Sequence, residues 1–153
     1  MVSGIPWFTL VRRELAEKVS AAVSRLVGSG RLPAVSYPPV EISDTKSAEH
    51  GDFACNFALA ASKLAGLKPR EIGELLAGEL LADPDFEKVE VAGPGFVNLF
   101  VSSAFTARAL AGVLASPESY YRSAPERPLR INVEFVSVNP NGPITIGSGR
   151  GAA

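Results

Sequence analysis

The run Pro143-Ile144-Thr145-Ile146-Gly147-Ser148-Gly149 is a stretch of small residues that could open a helix, and a helix N-terminus behind a Gly-rich loop is a place for phosphate. Just upstream, Ile131-Asn132-Val133-Glu134-Phe135-Val136-Ser137 is β-branched, aromatic or alternating, as a buried strand is. Asn139-Pro140-Asn141-Gly142-Pro143 then supplies a tight loop. Strand, Gly-rich turn and helix start is how α/β nucleotide sites are built, because the first helical N–H groups lack backbone partners and attract anions. Glu134 and Asn139 fall near the carboxyl end of that strand, where open α/β sheets place ligands. By themselves they read first as an exposed edge-strand residue and a turn former before Pro140.

A second candidate lies in Phe96-Val97-Asn98-Leu99-Phe100-Val101. Strict alternation sends Val97, Leu99 and Val101 to one face, and Phe96, Asn98 and Phe100 to the other. If helices cover the aliphatic face, the opposite face displays two aromatics beside an amide. The plain alternative is that the two rings cover the hairpin and Asn98 satisfies a turn. Cys55 and His50 are the sole cysteine and histidine. A structural zinc site needs about four such ligands, so a metal fold is excluded. The expectation is a buried or half-buried thiol and a loop histidine.

The elements that must position these residues follow from periodicity. Phe8, Val11, Leu15, Val19, Ala22 and Leu26 recur at spacings of three and four, which predicts a helix from about Thr9 to Val27, ended by Gly28-Ser29-Gly30. Its polar face carries Arg12, Arg13, Lys18 and Arg25, a solvated face before it is an RNA contact. Val40-Glu41-Ile42 reads as a short strand. Asp52 is expected to cap a helix running to about Leu64, with Phe53, Phe57, Ala60 and Leu64 on one side and Gly66 as terminator. Pro69 opens a third helix whose stripe is Ile72, Leu75, Leu76 and Leu80, stopped by Asp83-Pro84. Val89 to Ala92 should pair with Phe96 to Val101 through Gly93-Pro94-Gly95, and a last helix should span about Ala104 to Leu114.

These elements make an α+β fold: a small antiparallel sheet with helices mainly on one face, then the start of an α/β Rossmann-like unit. The divisions expected are residues 1–116, a linker at 117–128 and a second unit at 129–153. A parallel strand needs a crossover and a neighbour to bury it, and the 153 residues supply neither after Val136. The chain is therefore expected to be a fragment cut inside its second unit.

Hydrophobic residues make up 46% and charged residues 20%, which is globular and neither disordered nor membrane-like. No apolar run nears the ~18–20 residues of a membrane span, and no secretory signal is evident, so the cytoplasm is the expected compartment and no membrane partner is expected. The formal charge of −1 lacks the basic excess of indiscriminate nucleic-acid binders. Any such contact must be local and shape-specific.

Val133 to Pro143 resembles the VEFVSANPTGP-type strand that opens the catalytic domain of arginyl-tRNA synthetases and runs into the class I signature His-x-Gly-His. Thr145-Ile146-Gly147-Ser148 stands at that signature, and tryptophanyl-tRNA synthetases carry a comparable Thr-Ile-Gly-Asn form. His50 to Leu59 and Val89 to Asn98 resemble the GDYATN-type and AGPGFIN-type segments of the family's amino-terminal additional domain. The resemblance implies a ligase that uses ATP, with Mg²⁺, to join arginine to its tRNA. It implies ATP contacts at Thr145, Gly147 and Ser148, with Thr145 and Ser148 in the catalytic positions, and arginine contacts at Glu134 and Asn139. It also implies that Phe96 and Asn98 meet a base of the tRNA D-loop, by stacking and base-edge reading. The 153 residues alone would then be inactive and bind no cofactor. A stand-alone tRNA-binding module or an inactive synthetase paralogue is the alternative reading.

Overall fold

A computed structural model describes residues 7–117 and the isolated positions 130, 132, 142, 145 and 146. Most of the expected linker and second unit therefore lies outside the described residues. Helix α1 (Trp7–Gly28) is followed by β1 (Ile42–Asp44), a 3-10 turn at Ala48–His50, β2 (Phe53–Cys55) and α2 (Phe57–Ala65). Then come α3 (Pro69–Leu80), β3 (Phe86–Ala92), β4 (Phe96–Val101) and α4 (Ser103–Ala115). The four strands form one antiparallel sheet in the order β1-β2-β4-β3. This is the α+β class expected.

The α1 stripe is buried as its spacing requires, with Val11, Leu15, Val19, Ala22 and Leu26 each at most 5% exposed. Arg31 and Leu32 both donate their N–H groups to the Leu26 carbonyl, which folds the chain back after the helix and buries Leu32. Helix α3 presents Ile72, Leu76 and Leu80 to the core and lies across β3 and β4. Gly73 makes that crossing close: a Cβ there would stand 3.0 Å from Val91 Cγ1. Helix α2 packs on β4 through Phe57, Ala58 and Ala61, so Val97 and Leu99 are sealed beneath helices. No helix among the described residues is long and apolar enough to cross a membrane.

Three local expectations need correction. Asp52 does not cap a helix. Its N–H donates to the Leu99 carbonyl at 2.9 Å, and its carboxylate accepts from the Val101 N–H at 2.9 Å. Residues Phe53–Cys55 form β2, between β1 and β4, and the helix starts only at Phe57 after Asn56. Pairing on both sides satisfies backbone groups that would otherwise stand open at a sheet edge, and this outweighs local helix preference. Leu64, placed on the buried stripe by a helix begun too early, is 52% exposed.

The first strand is Ile42–Asp44 rather than Val40–Ile42, because its register follows β2, with Ile42 opposite Cys55 and Asp44 opposite Phe53. Arg12 holds Asp44 with two side-chain hydrogen bonds. Finally, β3 begins at Phe86, with a bulge between Phe86 and Lys88 that the period-two pattern hides.

Candidate nucleic-acid interface

Strand β4 is interior to the sheet, and its alternation places Phe96, Asn98 and Phe100 on the face away from the helices. Directly opposed residues of an antiparallel sheet share a face. Glu90 and Ala54 therefore flank Asn98 from β3 and β2, Lys88 flanks Phe100, and Ala92 flanks Phe96. Strand β2 pairs only as far as Val97, so Phe96 has no strand partner on that side among the described residues, and it is 42% exposed. Asn98, between Phe96 and Phe100 in the strand, is 5% exposed. Its amide makes no side-chain hydrogen bond among the described residues. No described side-chain polar atom is both sealed from solvent and without a partner, so that amide opens onto the surface. Ala54 leaves the opening: a methyl group occupies the place where a larger side chain would cover it.

Two glycine turns hold this face in position. Gly51 has φ +82°, and a Cβ there would lie 2.7 Å from the Leu99 carbonyl oxygen and 3.2 Å from a ring carbon of Phe100. The Thr45 hydroxyl donates to the Gly51 carbonyl, closing the loop before Asp52 binds the end of β4. Gly95 has φ +144° and sits against the Pro69 backbone at the start of α3. The His50-Gly51-Asp52 and Gly93-Pro94-Gly95 segments thus dock the two ends of the Phe96–Phe100 platform.

The charges around the platform are arranged in pairs. Lys88 Nζ lies 4.8 Å from the centre of the Phe100 ring and 2.6 Å from Glu90 Oε1, a cation–π contact joined to an ion pair. On α1, Arg12 pairs with Asp44, Arg13 with Glu17, Lys18 with Asp83 and Asp85, and Arg25 with Glu79. With every one of those cations matched to a carboxylate, the α1 face offers phosphate little attraction. Apart from the i,i+4 pair of Arg13 and Glu17 within the helix, the partners come from other elements, so periodicity could not reveal them.

Arg108 makes two 2.8 Å hydrogen bonds to Asp85 and one of 2.9 Å to Glu14. The Arg108 hydrogen bonds, helped by Lys18 and opposed by burial, hold the Asp85 carboxyl down at about 2. This cluster ties α1, α4 and the start of β3 together and is structural.

Cys55 is buried, and burial pushes its thiol up to about 11, against a hydrogen bond from the Phe57 N–H. It is neutral at physiological pH, which removes it as a nucleophile. His50 ends the 3-10 turn and is exposed. Thr145 and Ile146 are exposed, while Glu134, Asn139, Gly147 and Ser148 lie outside the described residues. Lys88, Glu90 and Ala54 were not singled out in the sequence. The alternation of Lys88 and Glu90 with Val89 and Val91 could have placed the first two on this face, but Ala54 could not be placed while β2 was read as helix.

A helix-backed antiparallel sheet with an aromatic face left open among the described residues defines the class of domain. Residues 13–101 match the family described as the arginyl tRNA synthetase N terminal domain, and the chain belongs to that family. It is 40% identical over 140 residues to the arginine–tRNA ligase of Frankia alni, a match covering 92% of this chain and 25% of the relative. The arginine–tRNA ligase of Paracoccus denitrificans is 44% identical over 135 residues, 88% of this chain and 23% of that protein. The chain thus spans about a quarter of the length of the curated relatives it matches. The crystal structure of arginyl-tRNA synthetase from Plasmodium falciparum superposes with a TM-score of 0.55 at 15% identity, over 65% of this chain and 17% of that one. At that identity the likeness concerns the fold.

Proposed function

We propose that the open sheet face binds an unstacked base of the tRNA D-loop, as the tRNA-contacting part of an enzyme that joins arginine to tRNA. The observation that carries this reading is the Asn98 amide, without a side-chain hydrogen bond among the described residues, recessed on the same face as the exposed Phe96 ring, in a chain of this family. A ring stacks on any base, and a recessed amide with spare donors and acceptors reads its edge. The chain's near-neutral charge fits a local contact better than a broad electrostatic one.

The chemistry of the larger enzyme remains with the sequence motifs. ATP, with Mg²⁺, is assigned to the loop of Thr145, Gly147 and Ser148, and arginine to Glu134 and Asn139. Hydroxyls of Thr145 and Ser148 would donate to the α-phosphate as charge develops on it. A cytoplasmic site of action accords with this role. The 153-residue polypeptide by itself is expected to show no arginine-dependent ATP–pyrophosphate exchange. Exchange above the background of a Thr145→Ala, Ser148→Ala double variant would overturn that expectation.

Binding of the purified chain to its arginine tRNA transcript, beside thermal unfolding at one salt concentration, tests the interface. Phe96→Ala should weaken binding by ~1–3 kcal/mol through lost stacking, with folding intact. Asn98→Ala should relax discrimination between bases at the nucleotide read. Val97→Ala should instead destabilise the domain by about 2 kcal/mol, since it deletes methyl groups sealed under α3. Normal tRNA binding by folded Phe96→Ala and Asn98→Ala variants would refute the interface, as would unfolding of Phe96→Ala to the extent seen with Val97→Ala.

A further inference from the structure

The described cations divide by whether a carboxylate neutralises them. Every arginine from Arg12 to Arg108 is in an ion pair, and so are Lys18 and Lys88. Lys46, Lys63 and Lys68 are exposed and have no ion pair or side-chain hydrogen bond among the described residues. Two of these three stand in one place, the turn from α2 to α3. Lys63 is in the last turn of α2, Gly66 ends that helix at φ +65°, and Lys68 directly precedes Pro69.

That turn is fixed against the hairpin end of the sheet. Gly95 sits on the Pro69 backbone, so Lys68 and Phe96 are each one residue from the contact. Arg70, on the other side of Pro69, brings Nη1 to 3.5 Å from the Gly93 carbonyl oxygen and pairs with Glu74 at 3.1 Å. The side chains of that i,i+4 pair are 60% and 61% exposed, and such a surface pair is weak enough to yield to a stronger anion. The backbone of both turns is open, since a Cβ at Gly66 or Gly93 would meet nothing within 4 Å. Two acids follow on α3. Glu74 is held by Arg70, and Glu71 lies in the first turn, where a carboxylate complements the helix's own unpaired N–H groups.

We infer that the α2–α3 turn is a phosphate-binding surface: Lys63 and Lys68, with Arg70 beside them, take the backbone of the tRNA strand that passes the Phe96 end of the sheet. This rests on the tRNA reading above and adds to it an anchor that reads no base. Phosphate contacts fix the register and orientation in which a base is then read. Lysine suits the task, because its ammonium is a point charge on a flexible stem and follows a phosphate without demanding one geometry. The paired cations of α1 leave this turn as the place near the hairpin where positive charge is unspent among the described residues.

Binding of the 153-residue chain to its arginine tRNA transcript, measured over a series of salt concentrations, tests this. Lys63→Gln and Lys68→Gln should each make the slope of log K against log salt shallower by about 0.7–0.9, or about five- to eightfold in affinity over a tenfold change of salt. The loss should be the same whichever base stands at the D-loop nucleotide. Unfolding midpoints should not move, because both side chains are exposed and unpaired. Lys68→Arg keeps the charge and should keep the wild-type slope. Lys46→Gln is the control: it follows β1 at the Asp44 end, in register with Leu99 and away from the hairpin, and should leave the slope unchanged. An unchanged slope in the Lys63→Gln, Lys68→Gln double variant overturns the inference. An equal drop for Lys46→Gln also overturns it, since the attraction would then be diffuse. If the slope falls in the lysine variants while Phe96→Ala and Asn98→Ala bind normally, the phosphate surface stands and the base contact has failed. If those two weaken binding while the double lysine variant keeps the wild-type slope, the base contact stands and the turn carries no phosphate.

Discussion

Replacing Gly95 by alanine is expected to lower the unfolding free energy of the domain by about 3 kcal/mol, from a strained dihedral and a steric displacement together. At φ +144° an L side chain is strained wherever it points. Here the new Cβ would also stand 2.7 Å from the Pro69 carbonyl carbon and 2.8 Å from its oxygen and Cβ. Those atoms open α3, whose other end of contact is the buried stripe of Ile72, Leu76 and Leu80. The clash cannot be relieved by a rotamer, so either the hairpin lifts from α3 or the helix shifts. Phe96 follows Gly95 directly, and its aim over the recess should be lost as well. Gly93→Asn provides the contrast in the same turn: φ is +52°, which asparagine tolerates, and nothing lies within 4 Å. Denaturant unfolding should show a shift for Gly93→Asn of under about 1 kcal/mol. Equal stabilities for Gly95→Ala and Gly93→Asn would show that the hairpin does not depend on its seat against Pro69.

The second large effect concerns Asp85. Its carboxyl, 8% exposed as a residue, receives two hydrogen bonds from Arg108 and an ion pair from Lys18. Asp85→Asn should cost about 2–3 kcal/mol at neutral pH, since it leaves Lys18 half-buried with one carboxylate fewer and Arg108 without its bidentate partner. The folded-state value of about 2 lies below the ordinary carboxylate value of 3.8. Asp85 therefore stabilises the fold fully above about pH 4, and this contribution is lost as pH falls from there through about 2. Unfolding measured from pH 5 to pH 2 should show a steeper loss of stability in the wild type than in Asp85→Asn. Parallel profiles would mean that the carboxylate is not the group whose protonation loosens α1, α4 and the start of β3.

Much of this was legible along the chain. The α1 stripe, the Pro69 helix start, the β3–β4 hairpin and its glycines each follow from short-range rules of period, capping and turn geometry. The same alternation put Phe96 and Asn98 on one face and Val97 on the other, and the structure keeps that division. The order of the matching segments marked the family, which the comparison over residues 13–101 establishes. The phosphate-binding reading of Thr145 to Ser148 stays where the sequence left it.

What the sequence could not determine depended on partners distant along the chain. Phe53-Ala54-Cys55 has the local look of a helix start and becomes a strand only because β1 and β4 offer backbone groups on both sides. That one pairing turned Asp52 from a helix cap into a clamp on Val101 and shifted β1 by two residues. It also set a small side chain beside Asn98. Burial of Asn98 and the pairing of Arg12, Lys18 and Arg25 with carboxylates of other elements were likewise decided by tertiary structure. Periodicity reports which face a residue takes; only packing reports what stands across from it, and an interface is made of what stands across.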